Sequence, residues 1–262
     1  MECQNITKHL KINKNKVLGE VVILVEGESE EFKLLRHIFT NILDYNYLSI
    51  RRNKVMKDRF ESKNNKNSTV IIANTSNSNI KSIIEDNKYR DSLYTFLQKE
   101  YGRSLKNVPI YILWDRDYDS NDEPVVLKSL NTFSNAQDND YEMNGLLLLS
   151  YPCIESYELS NFDKKLWKKN FTTSKDTKKE MKAIVPNLVD ITEKTLLLAV
   201  ENMHRTMKSY NINEYDPSNF KRENLKIFEK ETEEYKNNQY WNALSLISIM
   251  FIDLGIIIEK NN

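Results

Sequence analysis

Three apolar runs in this chain each end in acidic residues, and those residues are where chemistry would sit. Val21 to Val25 runs into Glu26-Gly27, with Glu30 four residues after Glu26. Val108 to Trp114 runs into Asp115-Arg116-Asp117-Tyr118-Asp119, and Gly145 to Tyr151 runs into Pro152-Cys153-Ile154-Glu155. Carboxylates are hard oxygen donors, so Glu26, Glu30, Asp115, Asp117, Asp119 and Glu155 brought together would suit Mg²⁺ or Mn²⁺. A divalent ion held there could polarise a phosphodiester and lower the pKa of a bound water. Each piece also has a plain reading. Glu26 can be a solvated turn residue, Glu28 and Glu31 fit the positive end of a helix dipole, and Glu155 can open a helix. An EF-hand loop starting at Asp115 is excluded, because Ser120 and Val126 stand where Gly and Glu are needed.

The elements that must position these residues follow from the patterning. The β-branched and apolar runs read as buried strands, and the helical spacing of Phe32, Leu34, Leu35, Ile38 and Phe39 places a helix after the first. Strands separated by helices imply a parallel sheet, whose carboxyl ends share one edge, the usual ligand edge of open α/β folds. Shorter strands are expected at Tyr47 to Ile50 and Thr69 to Ala73, with a Lys/Asn-rich loop at 61–67 between them. Helices are expected from Ile80 to Tyr101 and Pro124 to Phe133. After Leu159 the pattern turns to helices with a charged face: Phe162 to Phe171, Leu188 to Tyr210, Phe220 to Tyr235 and Tyr240 to Ile258. The expected organisation is a basic lead-in at 1–17, a catalytic domain at 18–160 and a helical domain at 161–262 for dimerisation, partner docking or substrate binding.

Composition narrows the classes. Lys+Arg and Asp+Glu are 38 each, so no global field marks a nucleic-acid or membrane binder, and a polyanion would need local patches or metal ions. Two cysteines, Cys3 and Cys153, argue for a reducing compartment over a disulfide scaffold. Met1 to Lys16 lacks the apolar core of a signal peptide, and Ala243 to Ile258 is shorter than the roughly 20 residues of a membrane span and carries Asp253. A cytoplasmic chain without membrane association is expected. The five glycines form neither a dinucleotide fingerprint nor a P-loop, and His9, His37 and His204 are scattered. Basic residues at Arg51, Arg52 and Lys54, and at Lys164, Lys165, Lys168 and Lys169 around Trp167, could grip phosphates or could be solvated faces.

Val25-Glu26-Gly27, followed by Asp115 and Asp117 at the end of a later apolar strand, resembles the TOPRIM domain of topoisomerases, primases and related nucleases over about residues 18–160. Glu30 and the Pro-Cys-Ile-Glu-Ser segment resemble the branch that includes the overcoming-lysogenization-defect (OLD) proteins, and within it the toprim effector subunit of the PARIS anti-phage defence system. The resemblance implies a toprim, Rossmann-like, mostly parallel α/β sheet flanked by helices with a helical C-terminal extension. It implies Glu26 as metal ligand or general acid/base, Asp115 and Asp117 as ligands of a divalent ion, and Glu30 and Glu155 as a second metal position. It further implies a nuclease acting in abortive infection, a homodimer, and a partner ATPase that restrains toxicity. The lysine that often supports the transition state in this family has no evident counterpart, Lys128 and Arg116 being candidates. Alternatives are an RNA-maturation ribonuclease, a primase-like enzyme, or a non-catalytic toprim regulatory module.

Overall fold

A computed structural model describes residues 9–27, 29–52, 55–75, 91, 94–95, 98–99, 107–117, 122–137, 145–185 and 187–260. The fold is α/β, built on a mixed central sheet with flanking helices. β1 (His9–Ile12) precedes β2 (Gly19–Val25), the central strand, whose residues Val21 to Val25 are fully buried. A strand buried on both faces reads as an unbroken apolar run rather than an alternation. α1 (Glu30–His37) follows and continues into a π-helical turn at Ile38–Ile42.

β3 (Tyr45–Arg52) and β4 (Val55–Ser62) then form an antiparallel hairpin in which Tyr45 pairs with Ser62 and Arg52 with Val55. β5 (Ser68–Asn74) returns beside β2 in parallel, Val22 opposite Ile71. The helix expected from Ile80 to Tyr101 lies mostly outside the described residues. β6 (Ile110–Asp115) pairs in parallel with the other side of β2, Val25 opposite Leu113. After α2 (Glu123–Thr132) and the short β7 (Ser134–Asn135), β8 (Gly145–Tyr151) lies parallel to β6, with Asp115 opposite Ser150. With β11 (Leu244–Ser245) from the C-terminal part at one edge, the sheet order is β11-β8-β6-β2-β5-β4-β3, with β7 also on β8. Its four central strands, β8, β6, β2 and β5, are parallel. β2 connects onward to β5 on one side, and the chain then crosses to β6 on the other. The β2–β6 junction is therefore the switch point of the sheet, where a crevice opens beyond the strand ends.

The second half departs from the expected run of helices. α3 (Glu155–Ser160) is followed by a 3₁₀ turn at Leu166–Lys168 and β9 (Asn170–Phe171), not by a helix over 162–171. The Asp163 carboxylate accepts the Lys165 N–H at 2.8 Å, a local bond that competes with helix continuation. α4 (Ser174–Ile184) is a charged helix that the apolar pattern did not mark. α5 (Glu193–Ser209) and α6 (Lys221–Asn238) lie where helices were expected. The apolar tail is not one helix: β10 (Trp241–Asn242), β11 (Leu244–Ser245), the short α7 (Ile247–Asp253) and β12 (Ile257–Lys260) divide it. Gly255, at φ +65°, makes the turn out of α7 that a β-branched residue could not make without strain.

These tail strands tie the halves together. β11 joins the main sheet antiparallel to β8, and β12 pairs with β1 from the lead-in. One apolar cluster contains Val22, Leu113 and Leu148 together with Leu196, Phe228, Trp241 and Met250, so the core runs across residue 160 without a break. Among the described residues no helix is long and apolar enough to cross a membrane.

Candidate active site

The ends of β2 and β6 are joined by a side chain. Glu26 follows the last residue of β2, and its Oε2 accepts the backbone N–H of Asp115 at 3.3 Å. Gly27 then turns the chain, and its N–H donates to Glu31 Oε1 at 3.1 Å. A Cβ at position 27 would collide with the Glu31 carboxylate, so the glycine lets that carboxylate fold back over the turn.

The segment after β6 leans on the segment after β8. Arg116 N–H donates to Ser150 O at 2.9 Å and Asp117 N–H to Pro152 O at 3.2 Å, while the Ile154 N–H bonds the Asp115 carboxylate. This brings Glu155, first residue of α3 and only 4 % exposed, towards Asp115. One Glu155 oxygen, Oε1, lies 3.5 Å from Lys178 Nζ on α4. The other, Oε2, is buried with no hydrogen-bond partner among the described residues.

These carboxylates act on one another electrostatically. Burial pushes Asp115 well above the usual carboxylate range, and the charges of Glu26, Glu31 and Glu155 push it the same way. Burial raises Glu26 to about 7, with Glu31 and Asp117 adding to it and the Asp115 N–H and Lys178 opposing. Glu158, one turn beyond Glu155 on α3, is raised to about 7 by burial and then by Glu155, Glu30 and Glu31. Glu31 is raised by burial and next by Glu155 and Glu30. Burial would lower Lys178, but Glu155, Cys153 and Asp115 hold it above its ordinary value. Burial, Glu155 and Asp115 all push the Cys153 thiol up, which keeps it protonated and unsuited to nucleophilic attack.

The rim thus gathers Glu26, Asp115, Asp117 and Glu155 from the expected set, and adds Glu31, Glu158 and Lys178. Glu30 is exposed and bonded to Ser29 Oγ and Lys33 Nζ, at 3.1 and 2.8 Å, so the buried glutamate of the pair is Glu31. Arg116 is fully buried against α6 and β10, its guanidinium carbon 5.4 Å from the Phe228 ring centre and 5.3 Å from that of Trp241. Lys128 is exposed on α2. Asp119 and Lys54 lie outside the described residues, and Arg51 and Arg52 belong to β3. Lys164, Lys165 and Lys168 are exposed, whereas Lys169 is ion-paired with Asp163 and Glu180.

The donor set is all oxygen and suits a hard divalent cation. Among the described residues, however, no three acidic, histidine or cysteine side chains stand close enough to form a finished metal site. The carboxylates are assembled around the strand ends without being closed upon a common point. Of the added residues, Glu158 carried a signal, since i and i+3 share a helix face, and Glu31 was visible as a helix-start acid. Lys178 carried none, because it arrives from a helix beyond the apparent end of the domain.

No family model, no curated protein and no solved structure matches this chain.

Proposed function

We propose that the chain is a toprim-type, metal-dependent nuclease that hydrolyses nucleic-acid phosphodiesters at the rim formed by Glu26, Asp115, Asp117 and Glu155. The observation that carries this reading is the direct bond between the two strand ends at the switch point, Glu26 Oε2 to Asp115 N–H, with Glu155 and Asp117 delivered to the same edge. Burial and neighbouring carboxylates raise both Glu26 and Asp115, an arrangement poorly suited to stability that a bound cation would relieve. Asp115, Asp117, Glu26 and Glu155 would hold a divalent ion such as Mg²⁺ or Mn²⁺, which when bound supplies charge neutralisation and activation of water. Glu26 would take the proton of the attacking water, and Lys178, 3.5 Å from Glu155, would supply a cation beside the developing negative charge on phosphate. The products are a phosphomonoester and a free hydroxyl, so the reaction needs only water. In this reading Lys178 fills the role for which Lys128 and Arg116 were considered.

The resemblance of Glu30 and of the Pro152-Cys153-Ile154-Glu155-Ser156 segment to the OLD-like branch extends the proposal to a toxic effector of anti-phage defence, active as a homodimer and restrained by a partner ATPase. The purified chain, incubated with duplex DNA, single-stranded DNA and tRNA, is expected to cut with Mg²⁺ or Mn²⁺ and not with EDTA. Glu26→Ala is expected to lower the rate by about a hundredfold or more. Cutting that persists in Glu26→Ala removes the mechanism. Defined trimming of a precursor RNA, or nucleotide incorporation, would assign the same site to RNA maturation or primer synthesis instead.

A further inference from the structure

An acidic rim repels the phosphates it is meant to cut, and the chain as a whole has no net charge to draw them in. A bound cation would offset the rim itself, and a basic surface beside it would draw the rest of the strand. Helix α4 supplies such a surface. Its residues advance by about 100° each, which places Lys175, Lys178, Lys179 and Lys182 within an arc of about 100° on one side. On the opposite side Thr177 is buried, and Met181 and Ile184 pack against Leu159, Leu166 and Phe171, so the orientation of the helix is fixed by its apolar contacts.

The two acids of α4 are engaged on its flanks. Asp176 accepts from the hydroxyls of Thr172 and Thr173, and Glu180 is ion-paired with Lys169. Of the four lysines, Lys178 alone is ion-paired among the described residues, and its partner is Glu155 of the rim. Lys175, Lys179 and Lys182 are exposed. The row from Lys175 to Lys182 spans about 10 Å of helix, the length of about three phosphates along one strand of a duplex. The Lys169–Glu180 pair links α4 to the segment bearing exposed Lys164, Lys165 and Lys168. There Trp167 has Lys168 Nζ 4.8 Å and the Arg205 guanidinium 5.8 Å from its ring centre, so it holds cations rather than offering an open face to a base.

We infer that the lysine face of α4, Lys175, Lys179 and Lys182, is the track that binds the phosphate backbone of a nucleic-acid strand and lays it beside the acidic rim, with Lys178 marking the point of entry. The contacts are to phosphate, so binding is independent of sequence and strongly salt-dependent. The inference rests on the nuclease reading for what the strand is delivered to, but it is tested apart from cutting.

Fluorescence anisotropy with a labelled oligonucleotide of arbitrary sequence, in EDTA so that nothing is cleaved, compares the full chain with Lys175→Gln/Lys179→Gln/Lys182→Gln. The triple variant is expected to bind at least about tenfold more weakly, and the slope of log affinity against log salt is expected to shrink by about 2 to 3. The matched variant Lys66→Gln/Lys194→Gln/Lys230→Gln, which removes three exposed lysines elsewhere, should keep the wild-type slope. Circular dichroism of both variants checks folding. An unchanged slope in the α4 variant, an equal loss in the matched variant, or a wild type that binds acidic protein but no nucleic acid overturns the track. Loss of slope in a protein that cuts nothing with any divalent ion leaves the track standing and removes the nuclease reading.

Discussion

Acids on the two sides of the Asp115–Asp117 segment, Glu231 behind it and the rim carboxylates in front, are built on opposite rules. Behind it, Glu231 of α6 is fully buried and burial raises it to about 8, yet both its oxygens are satisfied. Tyr210 Oη donates to Oε1 at 2.6 Å, the Asn242 N–H donates to Oε2 at 3.0 Å, and Asn242 Nδ2 donates to Tyr210 Oη at 2.6 Å. At the rim, Glu26, Asp115, Glu31 and Glu155 face one another, and Glu155 Oε2 has no partner among the described residues. A buried acid that accepts its full set of hydrogen bonds fixes structure. Acids held together with their charges opposed lower stability and suit a ligand that the fold alone does not supply. Arg116 stands between the two, buried with Phe228 and Trp241 while its neighbours Asp115 and Asp117 serve the rim.

The contrast can be broken most severely at Glu231. Glu231→Ala leaves the Tyr210 hydroxyl and the Asn242 N–H without their acceptor and opens a cavity, so urea denaturation should report a loss of about 3 kcal/mol. Asp115→Asn should do the reverse: replacing a carboxyl group whose ionisation the rim opposes with a neutral amide leaves the melting temperature equal or higher, while the cutting rate falls about a hundredfold, or about 2.7 kcal/mol of barrier. A destabilised Asp115→Asn would mean that the rim is structural after all.

Adding Mg²⁺ to the wild type at ten times its dissociation constant should raise stability by about 1.4 kcal/mol, and not in Asp115→Asn. In EDTA, pH sharpens the comparison further. The folded chain holds the Glu26 proton up to about 7, whereas an ordinary glutamate releases it near 4.5, so the folded state binds the extra proton between those values. Stability is therefore present below about 4.5 and declines as pH rises from there towards 7, and thermal melts of Glu26→Gln should show a flatter profile over that window. The smallest effect is expected at exposed Lys128, where Lys128→Ala should change stability by less than about 0.5 kcal/mol and leave cutting intact.

What the sequence disclosed follows from burial. β2, β6 and β8 are covered on both faces, so each is a continuous apolar run, and the first polar residue after each run marks the strand end. Glu26, Asp115 and Glu155 were visible for that reason. β4 was not, because Val-Met-Lys-Asp-Arg-Phe-Glu-Ser carries four charges and its pairing with β3 and β5, not its composition, makes it a strand. Glu30 and Glu31 are equivalent in a helix-start pattern, and only the Gly27 N–H selects Glu31 for the interior. Lys178 and the tail strands were hidden because their roles depend on segments distant in sequence: α4 reaches back to Glu155, β11 to β8 and β12 to β1.

The central claim is that the rim carboxylates are held together for a divalent cation. Titration of the nucleic-acid-free protein with Mn²⁺, followed by electron paramagnetic resonance of the free ion, tests it without any assumption about substrate. Saturable binding by the wild type that is lost in both Asp115→Asn and Glu26→Gln, with the fold retained, is the predicted result. Binding that both variants keep, or none in the wild type at millimolar Mn²⁺, would contradict it.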